Sequence, residues 1–374
     1  MKNIICVETV TQFENAGDEL INLALIDLMR VHGNIVLNDR QSPKWYLDRL
    51  MSEGDQYYSD FNGHGGFYFG ILKRQFKQLF SAKTEQYYIA LPPGHFSQKG
   101  KKAAIDISKL FIKLIMLRLV GVRVMRAGFS IGPFDRANQL AQKIGSYAFH
   151  LYGLRDTVTL EYSKKIGINK ATLFPDMAWA LDISKYEKAS QNENKIVICF
   201  RSNAYGTEHS ETYLQPLMQS LSAMLSAPEF AKSKLVFCYQ VEFDKAASTY
   251  LYNNLKDKYN CTNIEYRLGI SEAFTLYSGA KTVISNRLHV LLLAAQASSL
   301  PLALVNKKDN VKITSIFNDN QLGDCILDLD LNDKELKDSL EHVLKVKSNI
   351  LSTFKQKRES NFKAMKALFS KAFN

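Results

Sequence analysis

The sequence predicts an α/β protein built as two Rossmann-like domains facing a cleft. Three observations carry that expectation. Short β-rich apolar runs alternate with amphipathic helical stretches. The alternation breaks once, at a polar segment, and then restarts. The length, 374 residues, exceeds one ordinary core, and a 46% apolar content supplies the material for two.

The elements follow in order. "NIICVETV" reads as a first strand, and "GDELINLALIDLMRVHG" as a helix capped by Asp18 and closed by Gly33. "NIVLND", "QYYIAL", "VRVMRAGF" and "ATLFPD" are short β-rich runs separated by helical stretches. Between Ala103 and Val120, Asp106, Lys109 and Lys113 recur at helical spacing in an apolar field, the mark of a packed or interfacial helix. "DISKYEKASQNENK" lacks apolar periodicity and predicts a linker over 184–195, after a first domain of residues 1–183. Beyond it the pattern restarts with strands "IVICF", "KLVFCYQ", "NIEYRL", "KTVIS", "LPLALV" and "CILDLD", interleaved with helices around 211–226 and 245–258, at "SEAFTLYSGA", and from about 287. A second domain over 196–342 and a basic helix over 343–374 complete the chain. Ligands of such sheets bind beyond the carboxyl ends of the strands, so the cleft between the domains is the expected site.

Composition narrows the class. Five scattered cysteines, without a CxxC pair, argue against structural zinc or a disulfide scaffold. No DxD-like carboxylate cluster suggests a catalytic metal, and no cofactor is expected. The N-terminus has no signal-peptide pattern, and no apolar stretch has the length of a membrane span, so a cytoplasmic protein is expected. The net charge of +11 is concentrated in residues 98–126 and 343–374, each net +7, which leaves the remainder net −3. Nucleic acid is not expected, because aromatic platforms are missing from these segments. Solvated helix faces are the ordinary reading of such runs, and a peripheral contact with the anionic inner face of a membrane is the alternative.

The stretch "VISNRLHVLLLAAQASSLPLALVNKKDNVKI" concentrates the chemistry. A strand ends, Ser285 or Asn286 caps a helix, and Arg287 and His289 fall in its first turn. A helix N-terminus already favours anions, and a guanidinium with an imidazole there suits phosphate or carboxylate. Lys307, Lys308 and Lys312 follow the next strand to the same edge.

This stretch resembles the C-terminal signature of the polysaccharide pyruvyl transferase family: strand, R-x-H, apolar helix, Pro, strand, Lys. "NAGDELI" resembles the family's N-x-GD turn, "GFSIGPF" its S-x-GP-F strand end, and "FPDMAWAL" its P-D strand exit. "LRDTVTLEYSKKIGI" is similar to its RD segment, with Thr159 where serine is usual, and "ICFRSN" to its strand ending in arginine. The likeness covers most of residues 1–320. Two stretches depart from the pattern, "NGHGGFYFG" and "LPPGHFSQKG".

The resemblance implies a GT-B-like fold and transfer of pyruvate from phosphoenolpyruvate to two sugar hydroxyls as a ketal, with phosphoenolpyruvate as donor substrate. On that basis His289 and Arg287 are the catalytic candidates, His289 because an imidazole exchanges protons near neutrality. Arg201 and Lys312 would contact the donor, and Asn15, Gly17 and Asp18 would form a substrate-binding turn. Arg155 and Asp156 read as an ion pair, Gly132 and Pro133 as loop formers, and Asp176 as a turn or cleft residue. His64 and His95 sit in glycine-rich loops that a sugar, oligosaccharide or lipid-linked glycan acceptor would approach. A nucleotide-sugar-dependent glycosyltransferase, with Glu272 on the ribose, and a non-catalytic component of a polysaccharide assembly complex are the competing readings. No pattern specifies the oligomeric state.

Overall fold

The computed structural model describes residues 2–63, 65–78, 80, 84–189, 194–202 and 211–374. His64, Asn203 and linker residues 190–193 lie outside them. The chain divides into two units. The first comprises residues 1–13, 18–181 and 361–374, and the second residues 14–17 and 182–360.

The first unit strings together β1 (Lys2–Val7), α1 (Ala16–Arg30), β2 (Asn34–Leu37), α2 (Lys44–Leu50), β3 (Gln56–Tyr57), α3 (Tyr58–Asn62) and α4 (Phe67–Lys77). It continues through β4 (Glu85–Leu91), β5 (Gly94–Phe96), α5 (Lys101–Leu119), β6 (Arg123–Ile131), α6 (Arg136–Ser146), β7 (Phe149–Leu154), α7 (Thr157–Lys165) and β8 (Thr172–Leu173). Its sheet is parallel, in the order β3-β2-β1-β4-β6-β7-β8, with β5 added on β6. The strands read as near-continuous apolar runs because helices cover the sheet. On one face, α4, α5 and α6 pack over it, with Ile71, Phe111 and Ala141 joining Ile89 and Val124 in a single core.

The second unit comprises β9 (Lys195–Cys199), α8 (Glu211–Leu225), β10 (Lys234–Phe237), α9 (Lys245–Leu255), β11 (Cys261–Asn263), α10 (Ile270–Ser278) and β12 (Thr282–Ser285). After these come α11 (Leu288–Gln296), β13 (Leu300–Val305), α12 (Val311–Asp319), β14 (Ile326–Asp328), α13 (Asp333–Lys345) and the start of α14 (Lys347–Phe373). The sheet is again parallel, ordered β11-β10-β9-β12-β13-β14. Counted within the unit this is 3-2-1-4-5-6, the Rossmann order. The strand order reverses between β9 and β12, and in the first unit between β1 and β4.

Several local expectations are corrected. "NIEYRL" is not a strand: β11 closes at Asn263, and the run beyond it is tied by isolated bonds such as Ile264 N to Phe237 O and Leu268 N to Tyr239 O. The expected linker begins as a 3-10 turn, Ile183–Lys185, because the Asp182 carboxylate accepts from Ser184 N. Asp18 does not cap α1. It lies inside the first turn and accepts from Thr11 Oγ1 at 2.6 Å and Gln12 N at 3.3 Å, fastening the loop before the helix. The basic segment 343–374 is the end of α13 followed by α14, whose Met365, Phe369 and Phe373 are buried in the first unit. There Tyr88 Oη donates to Phe373 O at 3.0 Å, and Phe369 meets Phe174 edge-on.

Candidate functional site

From Thr282 to Ala297, every residue is buried except Arg287 and His289. An apolar helix packed on all sides thus leaves two cation-capable side chains at its N-terminal end. They stand at the carboxyl edge of β12, beside the point where the strand order reverses.

The backbone there differs from the expected cap. Arg287 itself is the N-cap of α11, without a side-chain cap bond. Ser285 Oγ accepts from Arg287 N at 3.0 Å and turns back to donate to Cys199 O. Asn286 is wholly buried and tied sideways, its Oδ1 accepting from Arg201 N at 2.8 Å and its Nδ2 donating to Tyr213 Oη at 3.0 Å. These bonds couple the ends of β9 and β12, so Arg201 and Arg287 are placed by neighbouring strands rather than by loop chance.

Asp244, which no motif in the sequence singles out, is the counter-charge. It sits at the C-terminal end of a 3-10 turn (Glu242–Asp244) beyond β10, the other neighbour of β9. Arg287 Nη2 donates to Asp244 Oδ1 at 2.6 Å while its Nε lies against Oδ2, a two-point pair. Asp244 Oδ1 also accepts from Ser202 N at 3.2 Å. Burial pushes the Asp244 carboxyl up, and Arg287 and Arg201 offset part of that rise. The Arg201 guanidinium is lowered by burial first and by the Arg287 charge second. Arg201 and Arg287 both act on the Asp244 carboxylate in a largely dehydrated place. Such a cluster can take up a small, densely charged anion.

Residues 14–17 complete this side. Asn15 bridges Val241 antiparallel, Ala16 N donates to Gln240 O at 3.1 Å, and Asn15 Oδ1 accepts from Gly17 N at 2.9 Å. A Cβ on Gly17 would lie 2.6 Å from His289 Nδ1. The glycine of "NAGD" is therefore the space in which the His289 imidazole sits. Asn15, Gly17, Arg201, Arg287 and His289 come together. Lys312, exposed in the first turn of α12, belongs to the end of β13, one strand further along. Lys308 pairs at 3.5 Å with Asp330. Glu272 is exposed in the first turn of α10. An open groove of about 520 Å³ runs beside Asp244, lined by Phe243, Lys245, Thr249 and Tyr250, and gathers none of the candidate cations.

The remaining motif residues form a buried network in the first unit. Arg155 does not pair with Asp156 but with Asp176, Nη1 to Oδ2 at 2.8 Å. Asp156 is committed elsewhere: it caps α7 by accepting from Thr159 N at 2.7 Å, and it accepts from Ser130 Oγ at 2.8 Å. Ser130 Oγ in turn accepts from Arg155 Nε at 2.7 Å. Asp176 accepts from Ala178 N at 2.9 Å, so it is a buried turn residue and lines no opening. Gly132, at φ 80°, leaves room for the Tyr162 ring, whose Oη accepts from Phe134 N.

One carboxylate at the strand-order reversal of the first unit escaped the sequence reading. Glu8 follows β1 and accepts from both sides: Asn38 Nδ2 reaches its two oxygens at 2.9 and 3.0 Å, and Tyr68 Oη donates at 3.2 Å. Burial raises its pKa against those bonds. Arg126 on β6 donates to Pro92 O at 3.0 Å and stacks on Phe96 and Phe129, with burial lowering it to about 10. His95 is exposed on β5. Among the described residues, no three His, Cys, Asp or Glu side chains gather where a metal ion could be held.

The family model for polysaccharide pyruvyl transferase matches residues 15–298. No curated protein sequence matches the chain. Among solved structures, UDP-GlcNAc 2-epimerase from Neisseria meningitidis bound to UDP-GlcNAc superposes with a TM-score of 0.59 at 10% identity, covering 99% of each chain. The Anabaena protein Alr3699/HepE in complex with UDP gives 0.59 at 10% identity, over 98% of this chain and 96% of that one. The UDP-forming alpha,alpha-trehalose-phosphate synthase of Burkholderia vietnamiensis gives 0.55 at 12% identity, over 100% and 98%. These likenesses place the fold as GT-B type.

Proposed function

The chain belongs to the polysaccharide pyruvyl transferase family, and from that premise we propose that it transfers pyruvate from phosphoenolpyruvate to two hydroxyls of a sugar as a cyclic ketal, in the synthesis of an exopolysaccharide or another cell-surface glycan. The observation that carries this reading is the convergence of Arg201, Arg287 and His289 at the strand-order reversal of the second sheet. Phosphoenolpyruvate holds phosphate and carboxylate close together and asks for such a cluster.

In the reaction His289 donates a proton to the methylene carbon, leaving an oxocarbenium-like centre at C2. A sugar hydroxyl adds there, and phosphate departs with the C–O bonding pair, its charge met by Arg201 and Arg287. The second hydroxyl closes the ketal. Of the two hydroxyl protons, one replaces that given to the methylene carbon and the other leaves on phosphate. Lys312 and Asn15 contribute to substrate binding.

Thermal unfolding with phosphoenolpyruvate, repeated for Arg287→Ala, tests the donor. At ligand about 100 times its dissociation constant, stabilisation is about 2.7 kcal/mol, several degrees of midpoint. A shift confined to the unmutated protein is expected; none in either protein overturns the donor assignment. Phosphate release with a sugar acceptor then reads His289→Ala, expected to slow turnover by about 10²–10⁴. The second reading, a nucleotide-sugar enzyme, is favoured by neighbours that hold UDP or UDP-GlcNAc; stabilisation by UDP alone would establish it. A non-catalytic platform predicts that Arg287→Ala leaves product unchanged.

A further inference from the structure

We propose that the outer face of α4, α5 and α6 docks the protein on an anionic phospholipid surface. The inference is independent of the reaction. These three helices turn their inner sides into one core, and α5 lies against α6 so tightly that the Phe111 ring occupies the place of a Cβ on Gly145. Gln75 Nε2 on α4 donates to Val120 O at the end of α5, at 3.1 Å. The three are thus one layer, with a shared outer face.

That face is unusually apolar. Phe69 and Phe76 on α4, Ile112, Met116 and Leu119 on α5, and Ile144 on α6 are between 49% and 80% exposed. Single exposed apolar side chains are ordinary, but a group spread over three adjacent helices is not. The same helices carry ten Lys or Arg against one acid, Asp106, which is itself paired with Lys109 at 3.3 Å. Lys73, Lys77, Lys113 and Lys143 are exposed among the apolar groups.

The combination selects the occupant. Aliphatic and aromatic groups enter the boundary between headgroups and acyl chains, while lysines meet lipid phosphate. A second copy of the chain in a two-fold pair would set this cationic face against itself. The other basic segment, on α14, has no comparable claim, since its Met365, Phe369 and Phe373 are buried. Among the described residues no helix is long and apolar enough to cross a membrane, so the contact is with the surface.

The test is co-sedimentation of the full chain with phosphatidylcholine vesicles, alone or containing phosphatidylglycerol, at low and high salt. Binding is expected only to the anionic vesicles and is expected to weaken with salt. At about 1 kcal/mol per lysine, Lys109→Gln with Lys113→Gln lowers the partition coefficient roughly thirtyfold. Ile112→Ser with Met116→Ser lowers it roughly tenfold or more, and neither pair moves the melting midpoint. Absence of binding, equal binding to neutral vesicles, or wild-type binding by the Ile112/Met116 variant would overturn the proposal. So would a dimer in gel filtration that the Ile112/Met116 variant dissolves, which would make the face an interface between copies.

Discussion

Two arginine–aspartate pairs divide the molecule's motif residues between scaffold and chemistry. Arg155 and Asp176 in the first unit are 3% and 0% exposed; Arg287 and Asp244 in the second are 15% and 0% exposed. The pair types are the same and the company differs. Arg155 meets Asp176 and Ser130, and Ser130 also donates to Asp156, so hydrogen bonds tie these buried groups to one another. Arg287 has a second guanidinium acting on the same carboxylate, keeps some exposure to solvent, and stands at the end of the helix that bears His289. A sealed pair fixes a strand end in place. A partly open pair is one that a small anion can reach.

From that contrast, removing one arginine should mainly unfold and removing the other should mainly disarm. Arg155→Ala removes the guanidinium from the buried Asp176 carboxylate, which costs about 3–5 kcal/mol. The melting midpoint is expected to fall by roughly ten degrees, in calorimetry of the purified variant. A fall of only a degree or two would mean that the network is not the support described.

Arg287→Ala should cost less, about 1–3 kcal/mol, because its pair is partly solvated, and should abolish stabilisation by phosphoenolpyruvate. Its pH dependence sharpens the comparison. Burial raises the Asp244 pKa above its ordinary 3.8, and Arg287 opposes that rise. A carboxyl whose folded pKa is raised loses stability as pH climbs through it. Without Arg287 the folded pKa rises further, so the stability deficit should be largest at neutral pH and shrink toward pH 3.8. Urea titrations at several pH values give the deficit directly, and a pH-independent deficit would remove Asp244 from the explanation.

Gly17→Ala tests how the imidazole is seated. The new methyl carbon meets His289 Nδ1 at 2.6 Å, and the overpacking costs about 1–3 kcal/mol. The histidine imidazole resonances should shift in NMR spectra even if the fold survives. The smallest effect is expected for Ser130→Ala, about 1 kcal/mol, through loss of the hydroxyl between Arg155 and Asp156.

The fold was largely legible because parallel strands buried on both faces write themselves as apolar runs, as "IVICF" and "LPLALV" do. "NIEYRL" misled because its alternation fits a half-buried strand, although the edge strand had already ended at Asn263. The placement of Arg287 and His289 at one strand end was legible too, since they interrupt an otherwise apolar run. The acidic half of the site was not. Asp244 is one carboxylate in a polar turn, and nothing in "VEFDKAAS" tells that β10 lies beside β9. Asn286 looked like a helix cap because asparagine often is one; its bonds to Arg201 and Tyr213 depend on strand adjacency, which local patterns do not encode. Arg155 was matched with Asp156 by proximity in sequence, yet adjacent residues in extended backbone point apart.

The placement of residues 361–374 in the first unit bears on the order of events during synthesis. A ribosome delivers β1 through β8 early, but Met365, Phe369 and Phe373 are completely or almost completely withdrawn from solvent only once the tail of α14 has been made. Until then, Tyr88 and Phe174 have their aromatic partners still to come. The sheet translated first is therefore finished last, and the whole of the second unit emerges while the first still lacks its closing helix.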